Sequence, residues 1–237
     1  MTDTITSSIQ LAFKKEKYDL LEKIEKVFIN YLEINNTNFN IKPFVRDLEF
    51  LFKLYDNYYF SGELSENLNI ILKYSNKMTK TAGLVRYSKR KSDIKIVFSY
   101  PLIFQSYLKK PEGYIVNGIF CKNPVESLMR VLEHELSHLV EYILFGSTNC
   151  NKPQFIKIAY ELFGHTENKH KIGLKIHDYG NIKQIKKGDK VSFPYRGKIY
   201  SGSVLGIRKN ITVAIKELNN IKKFYVPFSM IIKEENK

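Results

Sequence analysis

His134-Glu135-Leu136-Ser137-His138 is the stretch of this chain whose residue types and spacing carry a specific chemistry. Two imidazoles four residues apart fall on one face of an α-helix, close enough to share a tetrahedral zinc ion, and the glutamate between them reaches a water on that ion. Such a site performs metal-assisted hydrolysis. Zinc brings the pKa of its water toward neutrality and polarises a carbonyl, while Glu135 takes the water's proton and later hands it to the leaving amine. A helical histidine pair can equally be solvated or hydrogen-bonded without a metal, so the surrounding elements have to support the reading.

They predict a helix over the motif. Asn123 is a good N-cap, Pro124 suits the first helical position, and Glu126 stands where its carboxylate returns to the cap's N–H. Leu128, Val131, Leu132, Leu136, Leu139, Tyr142 and Ile143 recur at helical intervals, and Gly146 supplies a stop. A helix of about 22 residues is roughly 33 Å long, enough to cross a domain core.

The chain of 237 residues is long enough for one large domain, or a medium one and a small one. With 43% hydrophobic residues and 14% aromatic ones it can build a core, which excludes a disordered chain. A formal net charge of +14 favours polyanionic partners, nucleic acid above all, although richness in Lys, Asn, Ile, Tyr and Phe also fits compositional bias with solvated lysines. The two cysteines, Cys121 and Cys150, are too few for a disulfide scaffold and fit a reducing compartment. No stretch approaches 18 apolar residues, and the first ten lack a basic start and an apolar run. The expectation is a protein that is not secreted and has no membrane partner: cytoplasmic, and nucleoid-associated if the source is bacterial.

Along the chain, residues 14–34 read as an amphipathic helix, 35–40 as a loop, and Val45 to Tyr59 as a more buried helix ending before Ser61-Gly62. Asn69 to Tyr74, Gly83 to Tyr87 and Ile94 to Phe98 alternate as strands and predict a small antiparallel sheet. Pro101 to Leu108 reads as a helix, and so does Lys152 to Phe163, with Gly164 as its stop. A linker runs to about Gln184. From Lys187 onward, short alternating runs broken by Gly and Asn predict a five-stranded small barrel. The expected organisation is a helical extension over 1–42, a metallopeptidase domain over 43–181 and a small β-barrel over 182–237.

The segments YDNYYFSGELSENLNIILKYSNKMTKTAGLVRYSKR, HELSH and PQFIKIAYELFGHTENKH, in that order, resemble the SprT-like family of zinc metalloproteins, which includes the Spartan proteases. The resemblance covers roughly residues 45–172, and the tail resembles the SH3- or KOW-like modules of some bacterial members. It implies an α+β chain with a mini-zincin metallopeptidase core, one zinc ion per chain, and proteolysis of proteins trapped on DNA. By position, His134 and His138 would bind the metal and Glu135 would be the catalytic base.

One departure stands out. The family's third histidine precedes the next helix in an H-G-x-x-F setting, where this chain has Asn151-Lys152-Pro153-Gln154-Phe155. An asparagine amide is a poor zinc ligand, whereas the adjacent Cys150 as thiolate bonds zinc at about 2.3 Å. Cys150 is the first choice for the third ligand, although it can also be a buried apolar thiol. His165 is the alternative, His170 and Glu161 follow, and Glu141 reads as a supporting or solvated carboxylate.

Basic residues interleave with aromatics twice. Lys80, Arg86, Tyr87, Lys89, Arg90 and Lys91 cluster near one probable hairpin, and Lys190, Tyr195, Arg196, Lys198, Tyr200, Arg208, Lys209 and Lys216 decorate the tail. Such faces bind phosphates and stack bases, and they also occur as solvated surface or protein-binding modules. Two functions compete. One is a zinc endopeptidase acting on proteins associated with DNA; the other is a non-catalytic nucleic-acid-binding protein or scaffold with a structural metal.

Overall fold

The computed structural model describes residues 3–35, 44–88, 93–108, 112–170, 172, 185–195, 198–207, 211–217, 220–226 and 231–233. They form two compact units, Met1–Ile172 and Gly173–Lys237. The division falls at residue 172 rather than near 182. Residues 1–42 belong to the first unit instead of standing apart as an extension, because their helices bury side chains in its core.

The first unit opens with α1 (Asp3–Ala12) and α2 (Lys17–Ile34). Helix α1 was not expected from the sequence. Its stripe is only Ile5, Ile9 and Ala12, set among hydroxyl residues, yet all three are buried. Helix α3 (Val45–Phe60) is capped at its start by Asp47, whose carboxylate accepts the Phe44 N–H at 2.6 Å. It stops at Ser61 and Gly62, both in the left-handed region, and the short α4 (Glu63–Asn67) follows.

Three strands come next: β1 (Asn69–Ser75), β2 (Gly83–Tyr87) and β3 (Asp93–Ser99). Their order is β1-β3-β2, with β1 parallel to β3 and β2 antiparallel to it. The sheet is therefore mixed, not antiparallel as expected. Alternation of side chains reports burial but not strand direction, and β3 inserts between two strands that precede it. Strand β2 is left at an edge.

The expected helix after β3 is a short α5 (Tyr100–Ile103) continued by a 3-10 turn at Gln105–Leu108. A hairpin missed in the sequence joins β4 (Tyr114–Val116) to β5 (Ile119–Cys121). Its turn is Asn117-Gly118, with φ of 53° and 83°, the pair of left-handed residues that a two-residue hairpin demands.

Helix α6 (Pro124–Phe145) carries the motif, and its 22 residues run between the expected signals. Asn123 Oδ1 accepts the N–H groups of Val125 and Glu126 at 2.9 Å, and Gly146 closes the helix at φ 72°. Glu126 accepts from Lys122 N–H at 2.7 Å and from the Asn123 side-chain amide at 2.6 Å, one residue earlier than the expected cap N–H. Helix α7 (Pro153–Phe163) packs on α6 through buried Phe155, Ile158 and Leu162.

Beneath the motif lies a buried ionic cluster. Glu133 accepts from Tyr55 Oη at 2.5 Å, Arg130 at 2.8 Å and His165 Nε2 at 2.8 Å, which ties α3, α6 and the segment after α7 together. Removing one partner strands buried charge. Arg130→Ala is expected to cost about 3–5 kcal/mol in urea unfolding, and a loss under about 1 kcal/mol would show that water replaces the guanidinium.

The second unit is a five-stranded antiparallel sheet: β6 (Lys190–Tyr195), β7 (Lys198–Ile207), β8 (Ile211–Glu217), β9 (Asn220–Val226) and β10 (Ile232–Lys233), in the order β10-β6-β7-β8-β9. It has its own core of Val191, Phe193, Val204, Ile211, Val213 and Val226. The strand count matches the barrel expected of this tail. The chain as a whole is α+β.

Candidate metal centre

The rigid middle of α6 presents His134 and His138 on one side, with ring centroids 4.9 Å apart. Phe155 of α7 lies against both rings, at 4.8 Å and 4.4 Å, and forms an apolar wall that fixes them. The loop leaving α6 brings back Cys150. Ligand atoms of His134, His138 and Cys150 lie within 4.8 Å of one another. A second set shares His134: its ligand atom, a carboxylate oxygen of Glu135 and a ring nitrogen of His170 also lie within 4.8 Å of one another.

The donor set fits a metal. Burial disfavours the charged imidazolium, holding His138 down to about 4 and His170 to about 3, with His134 lower still, so all three rings are neutral at physiological pH. His134 Nδ1 and His170 Nε2 are buried with no hydrogen-bond partner among the described residues. The tautomer of His138 follows from its neighbours. Thr148 Oγ1 donates to Glu141 at 2.6 Å, so it must accept from His138 Nδ1–H at 2.5 Å, which leaves the His138 Nε2 lone pair free. Glu141 also accepts from Asn149 N–H at 2.8 Å; it is a buried carboxylate that orients a ligand rather than ligating. Burial raises the Cys150 thiol, and a bound cation is what would offset that and favour the thiolate.

His165 does not reach the site. Its Nε2 is spent on Glu133, on the core side of α6, because it follows α7 directly and turns inward. Glu161 pairs with Lys157 at 3.8 Å on the surface of α7. His170, ranked with Glu161 below His165, is at the site: a bridge between Val116 and His170 and an Asn117 N–H to Lys169 O bond of 3.3 Å hold it there.

Glu135 points at the sheet edge. Burial pushes its carboxyl up from 4.5 to about 8, opposed by a hydrogen bond from the Val85 backbone, and a cation held nearby pulls it down again. Gly83 makes room for it: a Cβ there would come within 2.8 Å of Glu135 Cγ and collide with Oε1. The variant Gly83→Ala is expected to keep its metal and lose about 100-fold in any Glu135-dependent hydrolysis, by displacing the carboxylate about 1 Å. Metal analysis beside a rate assay checks this, and an unchanged rate would show that Glu135 need not lie where it does. Gly83 was not flagged in the sequence, because one glycine in a strand has many explanations.

These residues open on a cavity of about 480 Å³ lined by Lys80, Gly83, Val85, Tyr87, His134, Glu135, His138, Thr148, Cys150 and His170. Tyr87 donates to the His138 carbonyl at 3.1 Å and stacks on Tyr142 at 3.9 Å, closing one end.

Of the basic residues picked out earlier, Lys80, Arg86, Lys190 and Lys216 are exposed. Arg86 stands opposite Lys95 in the β2–β3 register. Lys89, Arg90, Lys91, Arg196, Arg208 and Lys209 lie outside the described residues, as do the side chains of Tyr195 and Lys198. No helix among the described residues is long and apolar enough to cross a membrane.

Neither the curated proteins nor the solved structures compared with the chain give a match. The model of the SprT-like family does match, over residues 48–172, from within α3 through the strands, α6 and α7 to the segment after His170. That span is more than half of the chain, and it contains every residue of the cavity. With an edge strand followed by a helix that bears a histidine pair and the glutamate between them, the fold is metallopeptidase-like, and the chain belongs to the SprT-like family.

Proposed function

We propose that this protein is a zinc endopeptidase that cleaves proteins held on DNA. The observation that carries the reading is the cavity in which the His134, His138 and Cys150 donors meet the buried Glu135 beside the edge strand β2. His134, His138 and Cys150 would hold the zinc. A zinc ion bound there supplies Lewis acidity to a carbonyl and a water of near-neutral pKa.

The chain's own residues do the rest. The open edge of β2 offers backbone N–H and C=O groups to an extended peptide, which sets the peptide along the cavity. Glu135 removes the proton of the attacking water and delivers it to the departing nitrogen. Phe155 packs against the two imidazoles and Tyr87 lines the cavity, and the apolar surroundings strengthen the electrostatics at the histidines.

DNA as the partner is supported by the net charge of +14 and by exposed cations near the cavity, Lys80 and Arg86. The non-catalytic reading draws on Asn151 standing where the family has its third histidine. A buried glutamate with no cationic partner among the described residues argues against it, because a structural site has no use for one at that cost.

The test is cleavage of a basic protein bound to DNA. Fragments are expected with DNA present, fewer without it, and fewer again as salt rises from about 50 to about 200 mM. Equal cleavage with and without DNA would remove the DNA component. No fragments under any metal or DNA condition would leave the non-catalytic reading.

A further inference from the structure

We propose that His170 is a catalytic residue, a neutral imidazole that donates a hydrogen bond to the carbonyl oxygen as that oxygen gathers negative charge. The inference rests on the peptidase reading above and assigns the oxyanion partner it lacks.

The geometry of the two donor sets points this way. They share His134: His138 and Cys150 complete one group, Glu135 and His170 the other. His170 is therefore grouped with the general base and not with the His138–Cys150 pair. Three atoms mutually within 4.8 Å leave a central point at most about 2.8 Å from each, so one oxygen beside the His134 donor can come within hydrogen-bonding range of both Glu135 and His170. That is where water and carbonyl must meet if Glu135 is the base.

His170 is also held. Its backbone bridges Val116 in β4, and Lys169 O accepts the Asn117 N–H at 3.3 Å. Two residues upstream, the Asn168 side-chain amide donates to Cys150 O at 2.7 Å, which ties the segment to the loop that bears the thiol. The ring packs at 4.4 Å centroid distance on His134. Its Nε2 is buried with no hydrogen-bond partner among the described residues, and the residue lines the cavity. A ring that merely filled space would need neither the backbone anchors at and beside it nor an unsatisfied buried nitrogen.

The step balances without further reagents. The water oxygen bonds to the carbonyl carbon, the C=O π pair moves onto oxygen, and the water's proton passes to Glu135. His170 N–H donates to the new oxyanion without transferring its proton. When the C=O re-forms, the C–N bond breaks and Glu135 protonates the leaving nitrogen. Donors placed for the oxyanion act mainly on kcat, because the ground-state carbonyl uses them less.

His170→Ala and His170→Gln in the full chain test this with three readouts: metal content, steady-state cleavage of the DNA-bound basic protein, and acetohydroxamate binding to cobalt-loaded protein followed by visible absorption. The expected result for His170→Ala is metal content equal to wild type, kcat lower by about 10²-fold with KM within about threefold, and acetohydroxamate binding weaker by about tenfold. His170→Gln, which keeps an N–H donor, should recover part of both losses. Metal content falling below half in His170→Ala would overturn the proposal by making His170 a ligand, and unchanged acetohydroxamate binding would overturn it by leaving the ring without a role. A wild type that cleaves nothing defeats the peptidase reading alone, since acetohydroxamate binding still decides whether His170 faces a metal-bound oxygen.

Discussion

Replacing His134 with alanine is expected to take bound zinc from about one ion per chain to less than a tenth, and to abolish hydrolysis, while the fold survives. Zinc bound by a few protein ligands gains on the order of 10–16 kcal/mol, so losing one ligand forfeits several kcal/mol, more than 10³ in affinity. His134 has the larger effect of the pair because it belongs to both donor sets and is nearly fully buried. Water cannot readily take its place against Phe155. Elemental analysis after dialysis measures the loss, and circular dichroism separates it from unfolding. Undiminished zinc with intact structure would mean that the ion is held elsewhere.

Glu135→Gln is expected to do the opposite to the metal and the same to catalysis. Glutamine matches the shape of glutamate and its carbonyl can still accept from the Val85 backbone, so the ion stays. It cannot accept a proton, and hydrolysis should fall by about 10³-fold. The stability change has a definite sign in metal-free protein. The wild-type carboxyl is raised from 4.5 to about 8, so ionising it costs folding energy progressively between those pH values. Glutamine does not ionise. In chelator-treated samples the variant should therefore gain on wild type as pH rises from about 5 to about 8, read as a widening difference in Tm. A residual rate above about a tenth of wild type would remove Glu135 from the role of base.

The helix that bears the motif was legible because its signals are local: Asn123, Pro124, the apolar stripe and Gly146 all lie within one element and each acts through its own backbone. The short β4–β5 hairpin carries an equally local Asn117-Gly118 signal, but strands of only three residues each show too little alternation to stand out. Strand direction in the first sheet was not legible, since β1 pairs with β3 across an intervening strand and no side chain records that choice. Helix α1 escaped because a stripe of three apolar residues among Ser and Thr has little periodic weight.

The site divides along the same line. His134, Glu135 and His138 are four residues apart at most, so helical geometry alone assembles them. Cys150 entered by its chemistry beside a missing histidine, and the loop after Gly146 does carry it to the pair. His170 and His165 are five residues apart and of one type, yet one faces the cavity and the other Glu133. What separates them is the pairing of Val116 with His170, a contact between residues 54 apart in sequence, and nothing in the local pattern encodes it. Gly83 and Thr148 were missed for a related reason: each acts by shape or hydrogen bonding on another residue's side chain.

Zinc K-edge X-ray absorption on protein purified without added metal tests most directly whether His134, His138 and Cys150 grip one ion. One sulfur scatterer at about 2.3 Å together with imidazole nitrogens at about 2.0 Å is expected, the sulfur vanishing in Cys150→Ala. A first shell of nitrogen and oxygen alone in the wild type, or protein free of zinc after purification in its presence, would show that these three residues do not hold the ion.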